Sequence, residues 1–365
     1  YHDEYKVMGL APYGQSDTNH NLYKRFSQFF YLNNKTGLID TKKNLKDLYF
    51  TFQKLINNTR FDKVAAILQN FLEDLLLKFF KNLETQYKPD NIFYGGGVAM
   101  NVKANLEISK SSKVSSVYVP PSPDDSSQAM GACYSYQVEK YGNRAHKHCK
   151  PLTDAYLGPE ENKDRMYKII KKKLKKDKFK IIKKNINLNA AKLIAKNKIL
   201  GRYCGRAEFG ARALGNRSIL ANPSNIIVKD KINETIKNRD FWMPFAPVIL
   251  KKFSKKYLIN PKNIESPHMT VGFETTNLGY KKMMAACHPA DKTARAQILE
   301  KKHNPELYKL ISEFHKLTGV GALLNTSFNL HGFPIVNTTE QAINVLLKSD
   351  LDGLLLNNFF ILKKQ

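Results

Sequence analysis

From Phe61 to Tyr87 apolar residues return at steps of three and four, placing Val64, Ile67, Leu68, Phe71, Leu72, Leu75 and Phe79 on one stripe. That period predicts one long amphipathic helix with a single buried face. Downstream the pattern breaks into short apolar runs between turn residues. Asn91–Tyr94 enters Gly95-Gly96-Gly97 and then the helical VAMNVKANLEI, and Ser116–Val119 enters Pro120-Pro121-Ser122-Pro123-Asp124-Asp125 and a helix from Ser126 to Lys140. Repetition of strand, loop and helix predicts an α/β layer.

Residues 141–164 are polar, rich in His, Lys, Asn and Pro, and read as an interdomain linker. Past them the pattern predicts strands at Ile199–Cys204, Phe245–Leu250, Gly321–Leu324 and Leu354–Leu362, and a helix at Val228–Asn238. Asn304 before Pro305 predicts a helix start, because the Asn side chain caps free N–H groups and proline lacks one. Thr338 and Gln341 are spaced as a capping box for a helix reaching Lys348. The chain is thus read as α/β throughout, with domains at 1–145 and 165–365 and a linker at 146–164.

The 365 residues, 42% hydrophobic and 25% charged, are enough to bury two cores. No window approaches the roughly 20 apolar residues of a membrane span, and the opening YHDEYKVMGL lacks a signal-peptide pattern, so a cytoplasmic protein without a membrane partner is expected. That opening also has no initiator Met, which suggests a piece of a longer protein. Cys133, Cys149, Cys204 and Cys287 are scattered without a CxxC pair, against a disulfide framework or structural zinc. The net charge of +27 would suit a nucleic acid. Its lysines, however, cluster in KIIKKKLKKDKFKIIKKN from Lys168, alternating with Ile, Leu and Phe as a solvated helix or edge would.

GRAEFGARALGNRSILANP, from Gly205 to Pro223, sets Arg206, Arg212 and Arg217 among three glycines. Their guanidiniums could converge on phosphate or carboxylate oxygens, with Glu208 orienting one of them; a solvated surface loop is the plainer alternative. Lys237 and Arg239 could add charge to the same cavity, or serve a helix C-terminus. Asn325, Thr326, Ser327 and Asn329 follow an apolar strand, where open α/β sheets bind ligands and where turns also use Asn and Ser. Gly95-Gly96-Gly97 could let backbone N–H groups approach a phosphate or nucleoside. Asn101 and Asn105 share a helix face, to contact a ligand or to cap and pack. Asp124 and Asp125 could cap a helix or ligate a metal. His146, His148 and Cys149 read as solvated linker residues, and His288, Asp291, Thr293 and Arg295 as a binding loop or a capped turn.

In this order, EYKVMGLAPYG from Glu4, YGGGVAMNVKAN, VPPSPDDSSQAMGA, YLGP from Tyr156, the arginine-rich segment and NTSFN resemble the ATP-dependent O-carbamoyltransferases of nodulation-factor, cephem and aminoglycoside biosynthesis. The resemblance implies the C-terminal part of an actin/hexokinase-type ATPase-like domain followed by a YrdC-like α/β domain. It implies a transferase that makes carbamoyl-adenylate from carbamoyl phosphate and ATP, then carbamoylates a hydroxyl acceptor. Arg206, Arg212, Arg217 and Lys237 would then be catalytic. Gly95, Gly96, Gly97, Asn101, Asn105, Glu208, Arg239, Arg295, Asn325, Ser327 and Asn329 would contact substrate or nucleotide, and Asp125 would bind metal. ATP with Mg, and divalent iron or zinc in the transfer domain, are the implied cofactors; a homodimer is the assembly it allows.

Met243 replaces the family's Arg before Pro-Phe-Ala-Pro, and Asp124 replaces its Gly. The family's metal-binding histidines lie in an N-terminal half-domain absent from this sequence, so an incomplete first domain is expected. A tRNA threonylcarbamoyladenosine biosynthesis protein is the alternative enzyme and a basic nucleic-acid-binding module the alternative of another class; on the main reading nucleic acid is not a partner.

Overall fold

A computed structural model describes residues 3–41, 48–150, 152–175 and 177–364. Two compact units emerge: Tyr1–Pro120 with Thr270–Gly272 and Pro289–Asp291, and Pro121–Met269 with Phe273–His288 and Lys292–Gln365. The division falls after Pro120, upstream of the expected 145. The expected linker is anchored over part of its length, since Ala155 and Pro159 carbonyls accept from the Phe209 and Ala207 N–H groups at 2.6 and 3.0 Å. Lys176 of the lysine tract lies outside the described residues.

The first unit is organised by the expected helix, Phe61–Tyr87. Its apolar stripe buries Ile67, Phe71 and Leu75 against Leu22 and Phe26, while Leu76 and Phe80 pack on Ala104 and Ile108. Such side chains typically contribute about 1.5–3 kcal/mol each on full burial. β1 (Phe30–Leu32) pairs antiparallel with β2 (Ile39–Thr41), and β3 (Asn91–Phe93) pairs parallel with β4 (Ser116–Tyr118).

In the second unit eight strands make one mixed sheet: β5 (Phe179–Ile182), β6 (Leu200–Tyr203), β7 (Arg217–Ala221), β8 (Ala246–Leu250), β11 (Gln297–Leu299), β12 (Ala322–Ser327), β13 (Gly353–Leu356) and β14 (Phe359–Lys363). The order is β11-β8-β12-β7-β6-β13-β14-β5, and a separate short pair joins β9 (Leu258–Ile259) to β10 (Glu274–Thr275). β6, β7, β8 and β13 are buried at every position, as continuous apolar runs such as Val248-Ile249-Leu250 require of strands covered on both faces. β5 at the sheet's edge alternates Lys180 with apolar neighbours, so part of the lysine tract is an edge strand.

Three expectations need correction here. The segment 354–362 is not one strand but the hairpin β13–β14, because Asn357 takes a left-handed φ of 44° and reverses the chain. Arg217 does not lie on a loop: it opens β7. The helix expected over 228–238 runs as α-helix only from Ile226 to Ile232, then widens into a π turn, Asn233–Lys237, closed by Asn238 N–H donating to Asn233 O at 2.5 Å.

Candidate functional site

β12 runs antiparallel to β7 and β8, and β7 antiparallel to β6. The end of β12, the starts of β7 and β8 and the approach to β11, which is parallel to β8, therefore meet at one end of the sheet. Chain segments carrying Arg212, Lys237, Arg239, Arg295 and Asn325–Asn329 all arrive there.

The glycine-rich segment is shaped by Glu208. Its Oε1 accepts from the backbone N–H groups of Leu214, Asn216 and Arg217 at 2.8, 2.7 and 3.1 Å, so it orients the loop's backbone and not a guanidinium. Gly215, at φ +113°, holds a turn where a Cβ would run into the Leu307 side chain. Arg206 and Arg217 are drawn into the frame. Arg206 donates from Nε to Gly158 O at 2.9 Å and from Nη2 to Leu157 O at 2.6 Å. Arg217, 1% exposed, donates to Cys204 O at 2.9 Å and Gly205 O at 3.1 Å. Of the three arginines, Arg206 and Arg217 thus hydrogen-bond backbone carbonyls, and Arg212 lies with the cluster below.

Arg212, Lys237, Arg239 and Arg295 act on one another electrostatically. Desolvation, then the Arg239 charge, lowers the Arg212 guanidinium to about 10, with Asp124 as the opposing carboxylate. Desolvation, then the Arg212 and Arg239 charges, holds Arg295 well below its ordinary value, and its buried Nε has no hydrogen-bond partner among the described residues. Arg239 is aimed by its backbone, clamped through Asn233, whose Oδ1 accepts from Arg239 N at 3.0 Å and whose Nδ2 donates to Arg239 O at 2.9 Å. A cluster of like charges withdrawn from water is the arrangement an anionic ligand would stabilise.

Lys237 is 1% exposed. Its Nζ donates to four oxygens at the end of β12 and just after it: Ser327 O (2.5 Å) and Oγ (3.1 Å), and Asn329 O (3.1 Å) and Oδ1 (2.6 Å). His331 Nδ1 donates to the Lys237 carbonyl at 2.7 Å, so loop and π turn lock together. Burial, then the Arg239 charge, pushes the ammonium down to about 6. The four oxygens oppose that push, since an uncharged amine would set its lone pair against one of them.

Asn325, 2% exposed, donates from Nδ2 to Ala213 O at 2.9 Å and leaves its buried Oδ1 unpartnered among the described residues. Gln297, which no motif in the sequence marks, behaves alike: 2% exposed, it donates from Nε2 to Leu214 O at 3.1 Å and leaves Oε1 unpartnered among the described residues. A single amide inside the buried run Ala296–Leu299 was the available signal.

In the first unit Gly95, Gly96 and Gly97 are exposed, face open space, and include one left-handed position, Gly96 at φ +100°. Asn101 caps the helix Val102–Ser111 by accepting from Ala104 N at 3.0 Å, and pairs with Gln69. Asn105 ties Ala99 O and Thr270 O at 2.7 and 2.8 Å. Both asparagines take the capping and packing role. Asp291 pairs with Lys103.

In the second unit Asp124 caps, accepting from Ser122 Oγ at 2.7 Å and from Ser126 N at 3.3 Å. Asp125 is exposed and accepts from Gln128 at 3.3 Å. Among the described residues no three His, Cys, Asp or Glu side chains are grouped to hold a metal, so these residues do not by themselves form the centre in which the resemblance places Asp125. His148 stacks on Tyr141 at 3.7 Å between ring centroids.

Comparison with known proteins bears on this arrangement. The family model described as carbamoyltransferase C-terminus matches residues 191–363, and the carbamoyltransferase N-terminus model matches residues 1–134. The chain belongs to the carbamoyltransferase family. Relatives in that family include nodulation protein NolO of Bradyrhizobium diazoefficiens, 32% identical over 99% of this chain and 66% of its own length. Two uncharacterised proteins of Methanocaldococcus jannaschii are 37% and 33% identical, each over 99% of this chain, with 69% and 59% of their own lengths matched. The chain therefore spans roughly three-fifths to two-thirds of the relatives it matches. HypF, solved full-length in a phosphate- and nucleotide-bound form, gives a TM-score of 0.35 at 19% identity over 50% of this chain and 22% of its own, a likeness too slight to carry an argument. The family's C-terminal model encloses the whole cationic cluster, while Asp125 and the glycine triplet fall within its N-terminal model.

Proposed function

We propose that the second unit binds carbamoyl phosphate and ATP and forms carbamoyl-adenylate, the donor from which a carbamoyl group passes to a hydroxyl acceptor. What carries this reading is the convergence of Arg212, Lys237, Arg239 and Arg295 at one end of the sheet, with Asp124 as the opposing carboxylate. Arg212, Arg239 and Arg295 present planar donor forks suited to phosphoryl oxygens. The atoms balance if water releases inorganic phosphate from carbamoyl phosphate and the resulting carbamate oxygen takes the α-phosphoryl group of ATP, expelling pyrophosphate. Three arginines and an ammonium can stabilise the charge that builds on the phosphoryl oxygens in both steps. Magnesium accompanying ATP would add positive charge at the polyphosphate. The transfer half-reaction, its acceptor and any iron or zinc requirement belong to the same proposal but draw on the family alone.

The test is exchange of labelled pyrophosphate into ATP. Exchange that requires carbamoyl phosphate and collapses in Arg212→Ala supports the reading; exchange indifferent to either removes it.

A further inference from the structure

The cationic cluster accounts for an anion, but two buried acceptors beside it are not explained by an anion. Asn325 Oδ1 and Gln297 Oε1 are both unpartnered among the described residues, in side chains 2% exposed. Their identity as oxygens is fixed by what the other end of each amide does, since Ala213 O and Leu214 O can only accept and so must face the amines. Those carbonyls belong to the two residues directly after Arg212. The strands agree: Asn325 pairs with Ala246 of β8 and Gln297 with Val248 of the same strand, and both side chains reach the same loop. Arg295 lies two residues before Gln297.

Buried acceptors without donors are rare in native proteins, and two on neighbouring side chains that grip the same loop ask for a donor from outside the chain. A metal ion is a poor answer next to three guanidiniums, which would repel it. The fitting molecule is an anion that also carries N–H groups. An amide NH2 offers two donors, one for each oxygen.

We infer that Gln297 and Asn325 form an N–H-reading pair that selects a carbamoyl over an acetyl group on the phosphate held by Arg212, Arg239 and Arg295. This rests on the proposed carbamoyl phosphate site and assigns what confers its selectivity. Acetyl phosphate has the same shape with a methyl group where carbamoyl phosphate has its amino group, and would leave both oxygens unpaired. A site built to hydrogen-bond a group rejects analogues lacking it far more strongly than an apolar pocket rejects a changed methyl.

The experiment is calorimetric titration of the chain with freshly prepared carbamoyl phosphate and with acetyl phosphate, repeated for Gln297→Met and Asn325→Leu. The wild type should prefer carbamoyl phosphate by roughly 10–100-fold, the loss expected from unpaired buried acceptors. In each variant that ratio should fall severalfold while acetyl phosphate affinity holds. Because both substitutions also remove an amine bond to the loop, parallel loss of the two ligands would mean a positioning role only and would overturn the inference. Equal wild-type affinities would overturn it as well, without touching the anion site. Binding of neither phosphate by the wild type would bring down the carbamoyl phosphate reading itself, and this inference with it.

Discussion

The guanidinium carbon of Arg217 lies 3.8 Å from the ring centroid of Tyr203, whose hydroxyl donates to the Asn337 carbonyl at 3.0 Å. Tyr203 and Arg217 are also register partners across β6 and β7. Arg217 is thus a buried cation, stacked on an aromatic ring and hydrogen-bonded to backbone carbonyls.

Replacement of Arg217 by Met should therefore act on stability. Losing charge-assisted bonds and leaving carbonyls unpaired typically costs about 2–4 kcal/mol. For a unit of this size that lowers the melting temperature by roughly 5–15 °C, read by circular dichroism. An unchanged melting curve with abolished pyrophosphate exchange would instead place Arg217 against a ligand.

Arg295→Met should have the opposite profile. It removes a desolvated like charge, so the unliganded melting temperature should hold or rise. Stabilisation by pyrophosphate, about 2.7 kcal/mol at a hundred times Kd and so roughly 5–10 °C in the parent, should disappear. Persistence of that stabilisation would show that the anion sits elsewhere.

Lys237 sets a pH dependence. Burial and the Arg239 charge depress its folded pKa from 10.5 toward about 6, with the four oxygens opposing part of that fall, so within this window the unfolded chain holds more of the proton than the folded chain does. Stability should then rise with pH across that window and be lost as pH falls toward 6, a slope that Lys237→Met flattens. A bound phosphate would favour the ammonium, so binding at pH 8 should take up protons, detectable by calorimetry in buffers of different ionisation enthalpy. Release of protons on binding would contradict this account.

Glu208→Ala should loosen the loop from Gly205 to Asn216 by removing one acceptor for three backbone N–H groups. Hydrogen exchange should quicken at Leu214, Asn216 and Arg217 while the amides of β8 keep their protection. Uniform loss of protection across the sheet would point to global unfolding instead.

What the sequence made legible was local. The helix Phe61–Tyr87, the Asn304 cap and the Thr338–Gln341 capping box follow from spacing and side-chain chemistry within a few residues, and each is found where expected. β7 was hidden because its first residue belongs to an arginine- and glycine-rich motif that reads as loop, and β13–β14 because Asn357 and Asn358 interrupt an apolar run only briefly. At the site, Arg212, Lys237, Arg239 and Arg295 could each be suspected alone. Their meeting across 83 positions of chain depends on strand order, and so does the burial that turns Gln297 from an ordinary strand residue into a reader of N–H groups.

The π turn at Asn233–Lys237 gives the site an unusual vulnerability. Each residue of an α-helix advances the chain by about 100° around its axis, so one residue more or less before Lys237 would carry the ammonium away from Ser327 and Asn329. No exchange of one side chain for another does this. A single-codon insertion or deletion upstream of the turn would uncouple the lysine from its oxygen cage while leaving the apolar residues of the sheet in place. The ancestry of this ammonium is therefore written in helix length as much as in residue identity, and among carbamoyltransferases a gap in alignment at this helix would be as telling as a changed lysine.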